Sequence, residues 1–212
     1  MTADKGVTEI PLCILVAFQQ VFERCFVHLR RPLAEQAARW EALPDGRFTF
    51  LHKTLELGEP DWNQRYESHL WNYQLHYFDY AVWCARVWIE RGEPRFWQAC
   101  QALIASWIAR ARVGQSDGWD AYPTSLRLVN WIYAYCLLAE RDLPPAFRAS
   151  WCASIYRQVD FLRHHLEYHL LANHLLKNAK ALVIGGLFFA ADKRGQQWLA
   201  CGQQLLWREL AE

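Results

Sequence analysis

The chain has 212 residues, 53% of them hydrophobic and 21% charged, and its 23 Lys and Arg against 22 Asp and Glu give a formal net charge of +1. This composition excludes a disordered tail and a polybasic arm. It also argues against a nucleic-acid partner, because a net charge near zero could not neutralise many nucleic-acid phosphates. The longest uncharged apolar run, residues 181–191, is too short to cross a bilayer, so no membrane span is predicted. Aromatic residues make up 15% of the chain, which indicates aromatic surface beyond the needs of a core.

Apolar residues recur at spacings of three and four almost throughout, which predicts a nearly all-helical protein, and only residues 47–51 alternate as a strand would. Short links between the helices predict antiparallel hairpins stacked in one curved double layer, as in toroids of helix pairs. The fold class is therefore predicted to be all-α, with one domain over residues 1–212, and the spacing fits both helical arrays and toroids. The predicted helices cover residues 11–42, 70–91, 95–112, 124–141, 145–167, 173–191 and 194–211.

The seven cysteines include no C-x-x-C pair, and four of them, Cys84, Cys100, Cys136 and Cys152, lie in apolar helical segments. They are predicted to be small buried hydrophobic residues of a reduced protein. The N-terminus lacks a clear secretory cleavage site. Cysteine usage and N-terminus together favour the cytoplasm over the periplasm.

The first of three polar and aromatic segments, residues 71–80, reads Trp-Asn-Tyr-Gln-Leu-His-Tyr-Phe-Asp-Tyr. On one continuous helix, Asn72, His76 and Asp79 would share a face by the i, i+4, i+7 rule, with Tyr77 beside them. Such a face suits a hydroxylated ligand. The alternative is a hydrogen-bonded seam between two helices.

The second segment, residues 117–127, is part of a long connection rich in Trp, Asp and Tyr, which makes Trp119 and Tyr122 candidates for ligand contact. Thr124 or the serine after it is predicted to cap the following helix. Arg127 would then lie in the first turn, against the helix dipole, which indicates an anionic partner such as a carboxylate ligand. The alternative is a surface ion pair between Arg127 and one of the two aspartates of the segment.

The third segment, residues 167–180, places Asn173 at the predicted start of a helix, directly followed by His174. An Asn at this position is explained by N-capping alone. An amide and an imidazole beside the free N–H groups of a first helical turn also form a receptor for an anion. His165 and His169 are four residues apart, but the residues around them do not match the zinc-protease motif, so no metal site and no cofactor are predicted.

Together these segments resemble the N-terminal helical domain of the heparinase II/III-like polysaccharide lyases, a family with alginate lyase relatives. Residues 71–80, 117–131 and 168–189 occur in the order of the family, and the similarity covers about residues 50–212. The resemblance implies an α/α toroid followed by an antiparallel β-sandwich. It also implies cleavage of uronic-acid polysaccharides by β-elimination, with an acidic polysaccharide as the partner.

By this resemblance, Asn173 and His174 would neutralise the substrate carboxylate next to the carbon that loses its proton. The catalytic Tyr and His of the family lie beyond residue 212, so we expect an incomplete toroid without the β-sandwich, weakly active or inactive alone. Residues 1–45 are expected to form an N-terminal helical extension and residues 46–212 the family-like region. The predicted substrate-binding residues are Asn72, His76, Tyr77, Asp79, Trp119, Tyr122 and Arg127.

Two other classes of function stay open from the residues alone. One is a noncatalytic helical module that binds an acidic glycan or a protein. The other is a glycosidase on a similar toroid, with Asp79 facing Asp117 or Asp120 across a sugar.

An open toroid end is further expected to favour self-association through exposed apolar side chains. These side chains are Trp198, Leu205, Leu206 and Trp207.

Overall fold

The structure is a computed structural model that describes residue 10, residues 32–168 and residues 173–211. Two short 3-10 helices, Leu43–Asp45 and Asp117–Trp119, lie between the main elements. Most of the helix predicted at residues 11–42 falls outside the described residues. The main elements are α1 (Leu33–Trp40), β1 (Arg47–Phe50), β2 (Lys53–Glu56), α2 (His69–Tyr77), α3 (Asp79–Arg91), α4 (Pro94–Arg110), α5 (Ala121–Leu137), α6 (Pro145–His164), α7 (Asn173–Phe188) and α8 (Lys193–Ala211).

The all-α prediction is confirmed, since the described part of the chain contains one small sheet and is otherwise built from helices. That sheet is a β-hairpin in which Phe50 pairs with Lys53, and it lies where the sequence alternates. Phe48 and Phe50 point into the core at 1% exposure each, whereas the side chains between and beside them are more open. The period of two therefore marks a strand with one buried face.

A break at Phe78 separates α2 from α3, so the prediction of one continuous helix over residues 70–91 is wrong. Phe78 has φ 53° and ψ 33°, a left-handed conformation that is rare for an aromatic residue. Its side chain is fully buried and stacks on Trp62, with the ring centroids 5.5 Å apart. Tertiary packing around the ring therefore holds a backbone geometry that local preference disfavours.

Side chains of α5 satisfy the carbonyl groups at the end of α2. Arg127 Nη1 donates to the His76 carbonyl at 3.2 Å, and Asn130 Nδ2 donates to the Tyr77 carbonyl at 2.9 Å. The last carbonyls of a helix have no partner within it, and a positive charge there also suits the helix dipole. The break at residue 78 is thus built into the packing of α2 against α5.

Tryptophan fills much of the core, and the prediction of surplus aromatic surface is mostly wrong. Several buried indole N–H groups keep hydrogen-bond partners, as where Trp83 donates to the Leu33 carbonyl and Trp71 to the Lys53 carbonyl, both at 3.1 Å. Within the described part of the chain, three others are buried without a partner: those of Trp131, Trp151 and Trp198. Large aromatic rings therefore join α1, the hairpin and the helices behind them. Nine of the twelve tryptophans are under 2% exposed: Trp40, Trp62, Trp71, Trp83, Trp97, Trp107, Trp131, Trp151 and Trp198.

The four cysteines singled out in the sequence are free thiols and are buried, which confirms their prediction as small core residues. None of the helices in the described ranges combines the length and the apolar character needed to cross a bilayer.

The last helix hairpin, α7 with α8, packs its apolar residues more completely than expected. Trp198 is 0% exposed and lies 4.8 Å from the ring of Tyr156 on α6, and Leu205 is 6% exposed. The prediction that these two residues would be exposed is therefore wrong, because both belong to the buried core. Trp207 is 74% exposed. Self-association stays a prediction that rests on Trp207 and, in part, on Leu206.

Candidate functional site

A row of aromatic side chains runs across the ends of three helices, and we call Tyr73, Tyr77, Tyr122 and His174 the tyrosine–histidine row. Tyr73 and Tyr77 lie one turn apart on α2, Tyr122 lies in the first turn of α5, and His174 lies in the first turn of α7. Successive ring centroids are 6.5, 6.0 and 4.2 Å apart along the row. All four side chains are partly exposed, so the row forms an accessible surface.

His174 is fixed by two contacts. Its ring lies 4.2 Å from the ring of Tyr122 at an interplanar angle of 31°, and its Nδ1 lies 3.3 Å from Glu167 Oε2. The side chain retains 35% exposure. The described part of α7 runs from Asn173, and the position of the Asn173 side chain falls outside the described part of the structure.

A buried amide network supports this end of the row. Asn178, fully buried on α7, accepts a hydrogen bond from the Glu167 backbone N–H at 3.1 Å. Its Nδ2 donates to Ser125 Oγ at 2.9 Å, and Ser125 donates onward to the Ala121 carbonyl at 2.8 Å. The loop before α7 is therefore tied to the N-terminal parts of both α5 and α7.

Carboxylates and an arginine border the other end of the row. Arg65 binds Asp117 through two hydrogen bonds of 2.6 and 2.7 Å, and this pairing lowers the pKa of Asp117. Tyr73 donates to Asp120 Oδ2 at 2.6 Å. Burial, followed by this hydrogen bond, raises the pKa of Tyr73 well above its ordinary value, so the phenol keeps its proton.

His69 lies within 4 Å of both Asp117 and Asp120, and ligand atoms of these three residues come within 4.8 Å of one another. The group has the residue types of a metal site. Arg65 and Tyr73 already hold oxygens of the two carboxylates, however, so the observed contacts are those of an ion-pair network.

Asn72 and His76 are buried at 1% and 0% exposure, so the structure gives both a supporting position beneath the row. Asn72 Nδ2 donates to Asp117 Oδ2 at 3.0 Å. His76 Nδ1 accepts from Trp107 Nε1 at 3.1 Å, and a Cβ on Gly118 would meet its ring at 2.8 Å. The expectation that these two side chains contact substrate does not agree with this burial, and the seam between helices describes them better.

The enclosed imidazole of His76 should make stability depend on pH. Burial, followed by the charge of Arg127, lowers the pKa of His76 to about 3, against 6.5 in the unfolded chain. Between these values the unfolded state binds more protons than the native state, so the free energy of unfolding falls as the pH falls. Lowering the pH from about 6.5 to about 5 is expected to remove about 2 kcal/mol.

Urea unfolding at several pH values measures this loss. His76→Asn keeps an acceptor for Trp107 without a group that titrates in this range, so its unfolding free energy should vary less between pH 6.5 and 5. An equal pH dependence in both proteins would contradict the assignment to His76.

Arg127 is also buried, at 0% exposure, which corrects its prediction as a ligand for a carboxylate. α5 starts at Ala121, and Asp120 is its N-cap residue, so Arg127 lies in the second turn, and the predicted capping by Thr124 is wrong. The guanidinium donates to Gln158 Oε1 at 2.7 Å and to Thr124 Oγ1 at 3.2 Å. Burial holds the pKa of Arg127 well below its ordinary value. The alternative of a surface ion pair is wrong as well.

Asp79 and Trp119 also lie away from the positions that the sequence indicated. Because of the break at Phe78, Asp79 begins α3 and pairs with Arg39 of α1 at 3.4 Å, away from the face that carries Asn72. Trp119 is partly buried, donates to the Ala111 carbonyl at 3.2 Å and packs 5.3 Å from the ring of Trp107. Of the predicted set, Tyr77 and Tyr122 are the two side chains that join His174 in the row.

Sequence reasoning missed four residues that shape the site: Arg65, His69, Glu167 and Asn178. Asn178 follows His174 by one helical turn, so the helical period could have indicated it. The other three depend on how irregular connections fold, for which the sequence carries no periodic signal.

A surface cavity of about 420 Å³ lies away from the tyrosine–histidine row, between residues 59–63 and 109–112.

Comparisons with known proteins agree on one family. HepC, a heparan sulfate lyase from Pedobacter heparinus, matches 93% of this chain over 34% of its own length, with 18% identity and a TM-score of 0.78. Heparinase III matches 97% of this chain over 37% of its own length, with 19% identity and a TM-score of 0.71. This chain thus spans about a third of each of these structures, and its fold is that of their helical toroid.

None of the curated proteins compared with the chain matches it. The family model for the heparinase II/III N-terminus matches residues 33–212, and so includes α1, which the sequence placed in an extension. The chain therefore belongs to the heparinase II/III N-terminus family.

Proposed function

We propose that this domain binds an acidic, uronic-acid-containing polysaccharide along the tyrosine–histidine row and supplies Asn173 and His174 to a β-elimination site. The observation that carries the proposal is the place of His174: it lies in the first turn of α7, partly exposed and stacked on Tyr122. Membership of the heparinase II/III N-terminus family and the heparan sulfate lyase activity named for HepC support it.

The chemistry follows from the substrate. The proton removed in β-elimination lies on the carbon next to a carboxylate, and it becomes acidic enough when the charge of that carboxylate is neutralised. The N-terminus of a helix carries partial positive charge on its free N–H groups. Asn173 and His174 at the start of α7 add an amide and an imidazole to these groups, which together suit a sugar carboxylate.

The tyrosines of the row are assigned to binding. Tyr77 and Tyr122 offer aromatic faces to a sugar ring and hydroxyl groups to its oxygens. Burial, followed by its neighbour Tyr122, raises the pKa of Tyr77, so its hydroxyl stays protonated and acts as a hydrogen-bond donor rather than as a base.

Binding measurements test the proposal. Titration calorimetry with oligosaccharides of heparan sulfate, hyaluronan and polymannuronate is expected to show binding of at least one. Asn173→Ala and His174→Ala should each weaken that binding by about tenfold, the order of one hydrogen bond to a charged group. His164→Ala is the matched control, because His164 is exposed at the end of α6 and bonds its own helix.

Three results would go against the proposal. Unchanged affinity in both site variants would contradict it, and so would the absence of binding to all three polymers. Loss of binding or sugar cleavage in Asp79→Asn or Asp120→Asn with Asn173 dispensable would favour the glycosidase instead. Where turnover occurs, the absorbance of an unsaturated uronate product identifies β-elimination.

A further inference from the structure

The contact between Glu167 and His174 determines which nitrogen of the imidazole is available to a ligand. Glu167 Oε2 lies 3.3 Å from His174 Nδ1. An ionised carboxylate only accepts hydrogen bonds, so Nδ1 carries the hydrogen in this contact. Nε2 is then the nitrogen that remains for a ligand, as an acceptor in the neutral ring and as a donor in the charged ring.

Glu167 is held in place independently of His174. Its backbone N–H donates to Asn178 Oδ1 at 3.1 Å, and Asn178 is fully buried and bound to Ser125 of α5. The Glu167 side chain is itself 15% exposed. The backbone of Glu167 is thus attached to two helices through a buried amide, which fixes the point from which its carboxylate reaches the ring.

The imidazole ring is constrained on its edge and on its face. Glu167 holds the Nδ1 edge, and the ring of Tyr122 lies along one face with the centroids 4.2 Å apart. Together these two contacts leave the ring little freedom to rotate or to flip.

We propose that Glu167 is a positioning residue that fixes the hydrogen of His174 on Nδ1 and presents Nε2 to the carboxylate-bearing sugar. This inference rests on the proposed function, in which His174 contacts the substrate. Glu167 acts through His174 and through the buried Asn178, without touching the substrate itself. The pairing has the logic of a carboxylate that orients a functional histidine.

Nitrogen-15 NMR of the histidine rings shows which ring nitrogen carries the hydrogen. A purely structural role of Glu167 would leave this property of His174 unchanged. In the neutral ring of the native protein, His174 is expected to carry its hydrogen on Nδ1. In water a neutral histidine favours the hydrogen on Nε2, so Glu167→Ala should shift His174 towards that form. Glu167→Gln should retain the native form, because its side-chain carbonyl still accepts a hydrogen bond from Nδ1.

Binding of whichever of the three oligosaccharides the native protein binds should follow the same order. Glu167→Ala is expected to bind about tenfold more weakly, and Glu167→Gln should recover most of the affinity. Glu90→Ala, which removes an exposed carboxylate paired with Arg86 on α3, is the matched control and should bind as the native protein does. Thermal unfolding of each variant separates these effects from loss of the fold.

Two results would overturn the inference. One is a native protein in which His174 carries its hydrogen on Nε2, and the other is a Glu167→Ala variant in which the hydrogen stays on the same nitrogen of His174 as in the native protein. The outcomes also separate it from the proposed function. If His174→Ala weakens binding while Glu167→Ala changes neither the ring nor the affinity, the positioning role fails alone. If the ring shifts as expected but His174→Ala binds normally, the proposed function fails.

Discussion

Replacing Arg127 with alanine is expected to lower the free energy of unfolding by about 3–5 kcal/mol, because the side chain is fully buried and joins three helices. It donates to Gln158 on α6 and to the His76 carbonyl at the end of α2, and its guanidinium lies 4.0 Å from the centroid of the Trp107 ring. Alanine would leave these two acceptors and Thr124 Oγ1 without their donors, at about 1–3 kcal/mol for each acceptor left unsatisfied, and would open a cavity.

Thermal unfolding should show this as a fall in Tm of roughly 10 °C. Arg127→Met restores most of the volume without the donors, so its loss should lie between those of the native protein and the alanine variant. Arg95→Ala removes an arginine that is 70% exposed and should change stability by about 0.5 kcal/mol or less. A similar small change in Arg127→Ala would contradict the role assigned to the buried guanidinium.

Gly186→Ala is expected to destabilise the protein by about 2–3 kcal/mol, because α7 and α8 approach each other too closely there for a methyl group. A Cβ at this position would lie 2.7 Å from the Gly195 carbonyl oxygen and 2.7 Å from Leu199 Cα, both of which belong to the α8 backbone. These atoms cannot rotate away, so the two helices would have to separate. The expected loss includes the gain of up to about 1 kcal/mol that alanine gives within a helix.

Gly185→Ala is a matched control on the preceding residue of α7. Its Cβ would meet methyl groups of Val159 at 2.6 and 2.9 Å, which belong to one side chain and can shift further than the backbone of a helix. Urea unfolding should therefore show a smaller loss for Gly185→Ala than for Gly186→Ala. The reverse order would show that the close approach of α7 and α8 does not limit the packing.

The helical fold follows from the spacing of apolar residues, but the break at Phe78 does not. An aromatic residue has no local preference for positive φ, so nothing in the segment indicates a turn there. The conformation is stabilised by burial of the ring and by donors from α5, which only the folded chain provides. The predicted common face of Asn72 and Asp79 failed for this reason.

Only part of the candidate site could be predicted, again because local sequence signals do not show how the elements pack together. The helical course of the chain from Asn173 and the partly exposed positions of Tyr77 and Tyr122 follow from helical spacing and turn signals. Arg127 was misplaced because α5 begins at Ala121, which moves the arginine one turn further into the helix and into the core. Glu167 could not be assigned to His174, because the loop between them has no periodicity from which a contact could be inferred.

The hydrogen bonds from α5 to the end of α2, and from Asn178 to Ser125, join the two tyrosine-bearing helices and α7 into one body. The side chains of the row are consequently preorganised, and under the proposed function a sugar chain that binds along the row loses its own conformational freedom. Stiff polymers should then bind more tightly than flexible polymers of equal charge, because they have less conformational freedom to lose. Selectivity among glycans would come from the shape of the free polysaccharide as much as from its acidic groups.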